Sequence, residues 1–142
     1  MRCGEIMKED VVTVDRDDTI QVAARRMRDS NVGFLPICEH GGKVVGTLTD
    51  RDIAIRVVAE GLPPTTCRVE EVMTSQVVSC HFDDDLVRAE ALMAEHHKSR
   101  IVILNAEGYL QGVLSLSDVV QLDGPRRAAE TIRKVTSREA RF

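Results

Sequence analysis

Apolar positions recur in the same order twice along this chain. The run "DVVTV" from residue 10 reads as a β-strand and is followed by an acidic turn. Ile20, Ala23 and Met27 then fall at helical spacing. From residue 76 the order repeats: "QVVSC", an acidic turn, then Leu86, Ala89 and Met93 at the same spacing. Asp18 and Asp84 stand at the starts of these helices as N-caps. Two extended runs follow in each copy, "GFLPIC" with "KVVGTLT" and "RIVILN" with "YLQGVLS". They are separated by "EHGG" and "AEG", turn chemistry suited to hairpins. A second helix begins near Asp52 or Asp118. The first of these runs to Gly61, a C-cap ahead of the breaker "LPPTT". Each copy therefore predicts β, α, β, β, α.

An offset of 66 residues aligns positions 5–55 with 71–121 without a gap, and 13 of the 51 pairs are identical. Chance matching at about one position in sixteen would give roughly three, so the chain is an internal duplication. One copy is too small to bury both faces of its sheet. The expected fold class is α+β, with two β-α-β-β-α repeats packed by a pseudo-twofold axis. The expected boundaries are 3–60 for repeat 1, 61–68 for a linker, 69–122 for repeat 2, and 123–142 for a basic C-terminal helix or tail.

Composition narrows the class. At 142 residues with 43% apolar and 30% charged positions, ordinary packing suffices for stability. No apolar run approaches a membrane span, and "MRCGEIMKEDVV" lacks the apolar core of a secretory signal, so a cytoplasmic location is expected. Reducing conditions would keep Cys3, Cys38, Cys67 and Cys80 as thiols, a disulfide between two of them being the alternative. Residues 125–142 hold six Lys/Arg against two Glu, which leaves −8 on residues 1–124. That acidic body argues against nucleic acid as a partner.

The candidate chemistry lies where each copy closes, in "GTLTDRD" at 46–52 and "GVLSLSD" at 112–118. Thr49 with Asp52, and Ser115 with Asp118, have capping-box spacing. The same pairs also present a hydroxyl and a carboxylate together. A carboxylate suits a cis-diol, and each charge-assisted hydrogen bond contributes roughly 1.5 to 3 kcal/mol. Its place in a helix's first turn stabilises its charge, and a phosphate can use the free amides.

These motifs, their order and their offset resemble the CBS domain, and the tandem resembles a CBS pair, or Bateman module, over residues 3 to about 122. The stretch "VGFLPICEHGGKVVGTLTDRDIAIRVVAEGLPP" is similar to small stand-alone bacterial members. The resemblance implies regulatory binding of an adenosyl compound (AMP, ADP, ATP or S-adenosylmethionine) in a cleft between the repeats, without catalysis. It places Asp118, Ser115 and Ser117 at one site, with Arg100 as a phosphate-reaching cation and Asp18, Ala23 and Val32 as walls. It places Asp52 and Thr49 at the other, with Asp84, Ala89 and Lys98 as walls. Phe34 stands where the second copy has Arg100, and Arg51 stands in place of Ser117 as a substitute cation. Asp18 and Asp84 occupy positions where many nucleotide-binding members have threonine, and a carboxylate there repels phosphate or caps its helix. A homodimer, a regulated partner protein, no required cofactor and no membrane association are further implications. The competing function is a ligand-free dimeric interaction or structural module.

Other chemistry is weaker in the sequence. Cys38 with His40, Cys80 with His81, and His96 with His97 lack the spacing of structural zinc ligands. Cys38 and Cys80 align with Leu104 and Val14, which reads as core packing rather than nucleophilic catalysis. In "DGPRRAAETIRKVTSREARF", Ala128, Ile132 and Val135 mark an amphipathic helix, either solvated or packed on the module or a second chain.

Overall fold

The structure is a computed structural model in which residues 1–122 and 124–137 are described; residues 123 and 138–142 of the basic tail lie outside them. The chain divides into two compact units, one made of Val11–Val77 and the other of Met1–Asp10 with the chain from Val78 onward.

In the Val11–Val77 unit, β1 (Val14–Asp15) lies parallel to β2 (Phe34–Glu39), which pairs antiparallel with β3 (Lys43–Thr49). The central strand β2 is buried at four consecutive positions, as its unbroken apolar run requires. It tolerates Pro36 for a local reason. Opposite it, Thr47 exchanges backbone hydrogen bonds with Thr74 instead of with β2, and β1 reaches only as far as Ile37. The helix α2 (Ile20–Ser30) lays Ile20, Ala23 and Met27 into a core with Val14, Leu35, Ile37 and Leu48. A short helix α3 (Asp50–Ile53) continues through a wider turn, Ala54–Val58, and ends at Gly61. Gly61 has φ +67 and donates its N–H to Val58 O at 3.1 Å. Val69 and Val72 of α4 (Val69–Val72) complete this core.

The other unit repeats the plan. Here α1 is Cys3–Ile6, β4 is Ser79–His81, α5 is Leu86–His96, β5 is Arg100–Leu104 and β6 is Leu110–Ser115; α6 (Leu116–Val120) and α7 (Pro125–Thr136) follow. The strand order is β4-β5-β6, again parallel then antiparallel, with a register shift between Ile103 and Leu104 that matches the one between Ile37 and Cys38. Asn31 and His97, 66 residues apart, both close their helices at φ +53.

The outer strand of each sheet is covered by a strand-like segment that follows a four-residue helix. Thr47 bridges Thr74 in one unit, and Val113 bridges Lys8 in the other. Close approach requires the repeated glycine. A Cβ on Gly46 would lie 2.6 Å from Met73 Sδ and 2.9 Å from Thr74 O; on Gly112 it would lie 2.7 Å from both Met7 Sδ and Lys8 O. The identities of Met7 with Met73 and of Gly46 with Gly112 are thus one packing feature written twice.

Three local expectations are corrected. Asp18 and Asp84 are not the N-caps; Thr19 accepts from Val22 N–H at 3.3 Å and Asp85 from Val87 N–H at 2.9 Å. The earlier aspartates instead close the preceding turns, accepting from Asp15 N–H at 2.9 Å and His81 N–H at 2.8 Å. The strands expected in "DVVTV" and "QVVSC" are shorter and later, because the ladders to β2 and β5 begin at Val14 and Ser79 and run to Asp15 and His81. On α7 the inward face is Ala128, Thr131 and Val135, while Ile132 is 42% exposed. The helix packs on α5 and α6 of its own unit, where Arg127 makes a two-pronged contact of 2.7 and 3.0 Å with one oxygen of the buried Glu90.

Candidate functional site

Both closing motifs are capping boxes at a strand-to-helix junction. At the end of β3, Thr49 Oγ1 accepts from Asp52 N–H at 3.1 Å while Asp52 Oδ2 accepts from Thr49 N–H at 3.0 Å. At the end of β6, Ser115 Oγ accepts from Asp118 N–H at 3.2 Å and Asp118 Oδ2 accepts from Ser115 N–H at 3.3 Å. Ser115 Oγ also donates to Asp118 Oδ2 at 2.6 Å and lies 2.9 Å from Ser117 Oγ. Ser115, Ser117 and Asp118 are therefore gathered into one polar cluster. The reciprocal bonds fix the side chains at the start of the helix.

The strand register adds a neighbour to each motif. Arg100 lies directly opposite Ser115 across β5 and β6, and Phe34 lies opposite Thr49 across β2 and β3. Opposed residues in an antiparallel pair have Cβ atoms about 4.5 to 5.5 Å apart. The exposed Arg100 is thus a cation beside the hydroxyl of the second motif, where the first has an aromatic ring.

The carboxylates differ in their remaining oxygen. Asp52 Oδ1 faces the Arg56 guanidinium at 3.6 Å, with the Asp52 side chain only 17% exposed. Arg56 is itself held by Val72 O at 2.8 Å and Thr74 Oγ1 at 3.1 Å. The position equivalent to Arg56 in the second copy is Leu122, and every bond described at the Asp118 carboxylate uses Oδ2. The cation paired with Asp52 is therefore Arg56. Arg51 is exposed, with its backbone N–H on Asp50 Oδ1 at 2.9 Å. Sequence reasoning passed over Arg56, although its spacing of four from Asp52 on one helical run was the available signal.

The expected wall residues are described within their own units. Ala23 and Ala89 are fully buried core members. Val32 is 39% exposed and Lys98 is exposed, each just past the end of its helix. Asp18 is bound to its turn and lies 3.4 Å from Arg26; Asp84 is bound to its turn and lies 3.9 Å from Arg88.

The cysteines and histidines have structural neighbours. Burial pushes the Cys38 and Cys67 thiols above the ordinary thiol range. His81 stacks on Phe82 with ring centroids 4.2 Å apart, and its Nδ1 accepts from Asp83 N–H at 3.0 Å. The Nδ1 of His97 lies 3.0 Å from Lys134 O on α7. Among the described residues, no group of three or more His, Cys, Asp or Glu side chains is placed to hold a metal ion. No helix among them is long and apolar enough to cross a membrane.

A duplicated α+β plan with one hydroxyl-carboxylate motif closing each copy defines a class of tandem-repeat module. The chain belongs to the CBS-domain family, whose model matches it twice, over residues 3–59 and 69–124. It is similar to the CBS domain-containing protein YhcV of Bacillus subtilis (strain 168), with 40% identity over 115 residues that cover 81% of this chain and 80% of that protein. Among solved structures it resembles Hypoxic Response Protein I, crystallised with two coordinated zinc ions. The TM-score there is 0.79 and the identity 30%, covering 85% of this chain and 98% of that one. It also resembles the CBS domain pair of protein MJ0100 in complex with 5'-methylthioadenosine and S-adenosyl-L-methionine. That match has a TM-score of 0.77 and 25% identity, covering 87% of this chain and all of that one.

Proposed function

We propose that the chain is a regulatory, non-catalytic module that binds an adenosyl compound, AMP, ADP, ATP or S-adenosylmethionine, and that the Ser115–Ser117–Asp118 cluster takes its ribose. The observation that carries this reading is the asymmetry of the two carboxylates. Asp118 Oδ2 is committed to the capping box while Oδ1 takes none of the described bonds, so one oxygen fixes the side chain and the other accepts from a diol. Arg100, opposite Ser115, supplies positive charge for a phosphate or carboxylate on the same ligand. The adenosyl ligands of MJ0100 support the ligand class. The Thr49–Asp52 motif is the weaker site, because Arg56 already neutralises Asp52. Such a ligand regulates only by binding two states of the module, or of its complex with a partner, with different affinities.

A thermal-shift series with AMP, ADP, ATP, S-adenosylmethionine and NAD tests the proposal. At a hundredfold excess over Kd a single site adds about 2.7 kcal/mol, a rise of roughly 5 to 11 °C for a chain of this size. Asp118→Asn keeps a side-chain carbonyl for the capping box, removes the charge, and should lower the shift more than Asp52→Asn does. No shift with any of these ligands on folded protein would sink the reading and favour the ligand-free dimeric interaction module. A larger loss from Asp52→Asn would reverse the ranking of the motifs.

A further inference from the structure

In the unit that contains both α1 and β4, the Cys3 and Cys80 sulfurs lie 3.6 Å apart, in contact inside the core. Cys3 is fully buried and Cys80 is 7% exposed. Their meeting is built by the backbone. Cys3 N–H donates to Asp84 O at 2.9 Å and Gly4 N–H to Phe82 O at 2.8 Å, drawing α1 onto the turn after β4. Gly4 permits that approach, since a Cβ there would lie 3.1 Å from Phe82 O. Two thiols alone do not make a structural zinc site, which takes four ligands, and no third ligand joins them among the described residues. What two touching thiols can do is join.

We propose that Cys3 and Cys80 are an oxidisable dithiol, converted to an intramolecular disulfide by hydrogen peroxide. The Cys3 thiolate attacks one peroxide oxygen, the O–O bond breaks, and Cys3 sulfenic acid and hydroxide form. The Cys80 thiol gives its proton to that hydroxide, forming one water, and the Cys80 sulfur attacks the Cys3 sulfur; the S–OH bond breaks, the disulfide forms, and the departing hydroxide takes up the proton that Cys3 first released, forming the second water. Overall two thiols lose two electrons and two protons, and one peroxide becomes two waters.

The order of attack follows from the hydrogen bond between the sulfurs. Either sulfur can donate across this contact; with the Cys80 S–H as donor, that bond holds the Cys3 thiol below its ordinary range and, with burial, pushes Cys80 up. Cys3 therefore carries the thiolate and Cys80 resolves it. A disulfide needs the sulfurs about 1.5 Å closer than their 3.6 Å contact. Peroxide reaches the pair by local opening of the Cys3 segment. The ion pair across that seam, Arg2 with Asp83 at 3.6 Å, lies in solvent with side chains 62% and 58% exposed. The bond spans 77 positions and encloses the whole Val11–Val77 unit in a covalent loop.

The test is peroxide titration of the folded chain, followed by non-reducing peptide mass spectrometry and melting with and without a phosphine reductant. Expected are a loss of 2 Da, a linked peptide pair containing residues 3 and 80, and full reversal by the reductant. The melting temperature should rise by roughly 5 to 10 °C. The same rise should appear in the Cys38→Ala/Cys67→Ala double variant and vanish in Cys3→Ala. Sulfinic or sulfonic acid on either residue without the cross-link, pairing with another cysteine or between chains, or thiols inert at peroxide levels that oxidise the unfolded chain would each overturn the proposal. The mass readout on the unaltered chain stands even if Cys3→Ala folds poorly, and it is independent of adenosyl binding.

Discussion

Replacing Gly112 with alanine puts a methyl group where the structure has room for none. The added Cβ would sit 2.7 Å from Lys8 O and 2.7 Å from Met7 Sδ. The thioether can swing aside, but the carbonyl cannot. It belongs to a backbone bridge in which Lys8 N–H donates to Val113 O at 2.9 Å and Val113 N–H to Lys8 O at 3.0 Å. Displacing the segment sacrifices both bonds, about 0.5 to 1.5 kcal/mol each, and overpacking adds about 1 to 3 kcal/mol. Alanine's smaller unfolded-state entropy returns about 0.4 to 1 kcal/mol. The net loss is about 1 to 6 kcal/mol, a fall in melting temperature of roughly 3 to 17 °C for this chain length. Gly124→Ala is the control, because its new Cβ meets nothing within 4 Å. Scanning calorimetry and urea unfolding would measure both. If Gly112→Ala melts within about a degree of Gly124→Ala, the bridge does not cover β6 as described and the reasoning fails. Gly46→Ala should act similarly on the other unit, through Met73 and Thr74.

The N-cap correction predicts that Thr19→Ala and Asp85→Ala each cost about 1 kcal/mol in chemical unfolding, with Thr19→Ser close to neutral; a neutral Thr19→Ala would return the cap to Asp18. On α7, Arg127→Ala withdraws the two-pronged contact from a Glu90 side chain only 8% exposed. Because Arg127 is itself half exposed, the expected loss is discounted to about 1 to 3 kcal/mol, with Arg127→Lys recovering part of it in the same assay. Cys38 and Cys67, whose thiols burial raises, should alkylate more slowly than a free thiol at pH 8. Their rates should keep climbing above the pH at which the free thiol levels off.

Much of this architecture was readable because the chain states it twice. Periodicity placed α2 and α5, turn chemistry placed the two hairpins, and the offset of 66 linked them. The short helices α1 and α4 escaped notice, since four residues show no periodicity and backbone partners outside the helix position them: Asp84 and Phe82 for one, Asp18 and Arg16 for the other. Two adjacent residues able to cap, Asp18 and Thr19, could not be separated without knowing that Asp15 N–H claims the first. The α7 stripe was misread by one residue because apolarity favoured Ile132, whereas the face toward α5 presents Thr131. At the closing motifs the hydroxyl-carboxylate pairs were legible from spacing, and their inequality was not. It depends on Arg56 reaching back one turn and on strand register setting Arg100 beside Ser115.

The strap over each sheet has a consequence for how the chain is made. The Val11–Val77 unit is contiguous, with α4 following its own sheet in the sequence, so all of it is synthesised before Val78 is added. The companion unit draws its α1 and Lys8 from residues 1–10 but its strands from beyond Val78. Residues 1–10 must therefore wait through the synthesis of more than a hundred residues for β6, the strand they cover. During that interval Cys3, Ile6 and Met7 have no sheet to pack on. Vectorial synthesis thus makes the whole Val11–Val77 unit available before β6, the strand that residues 1–10 cover.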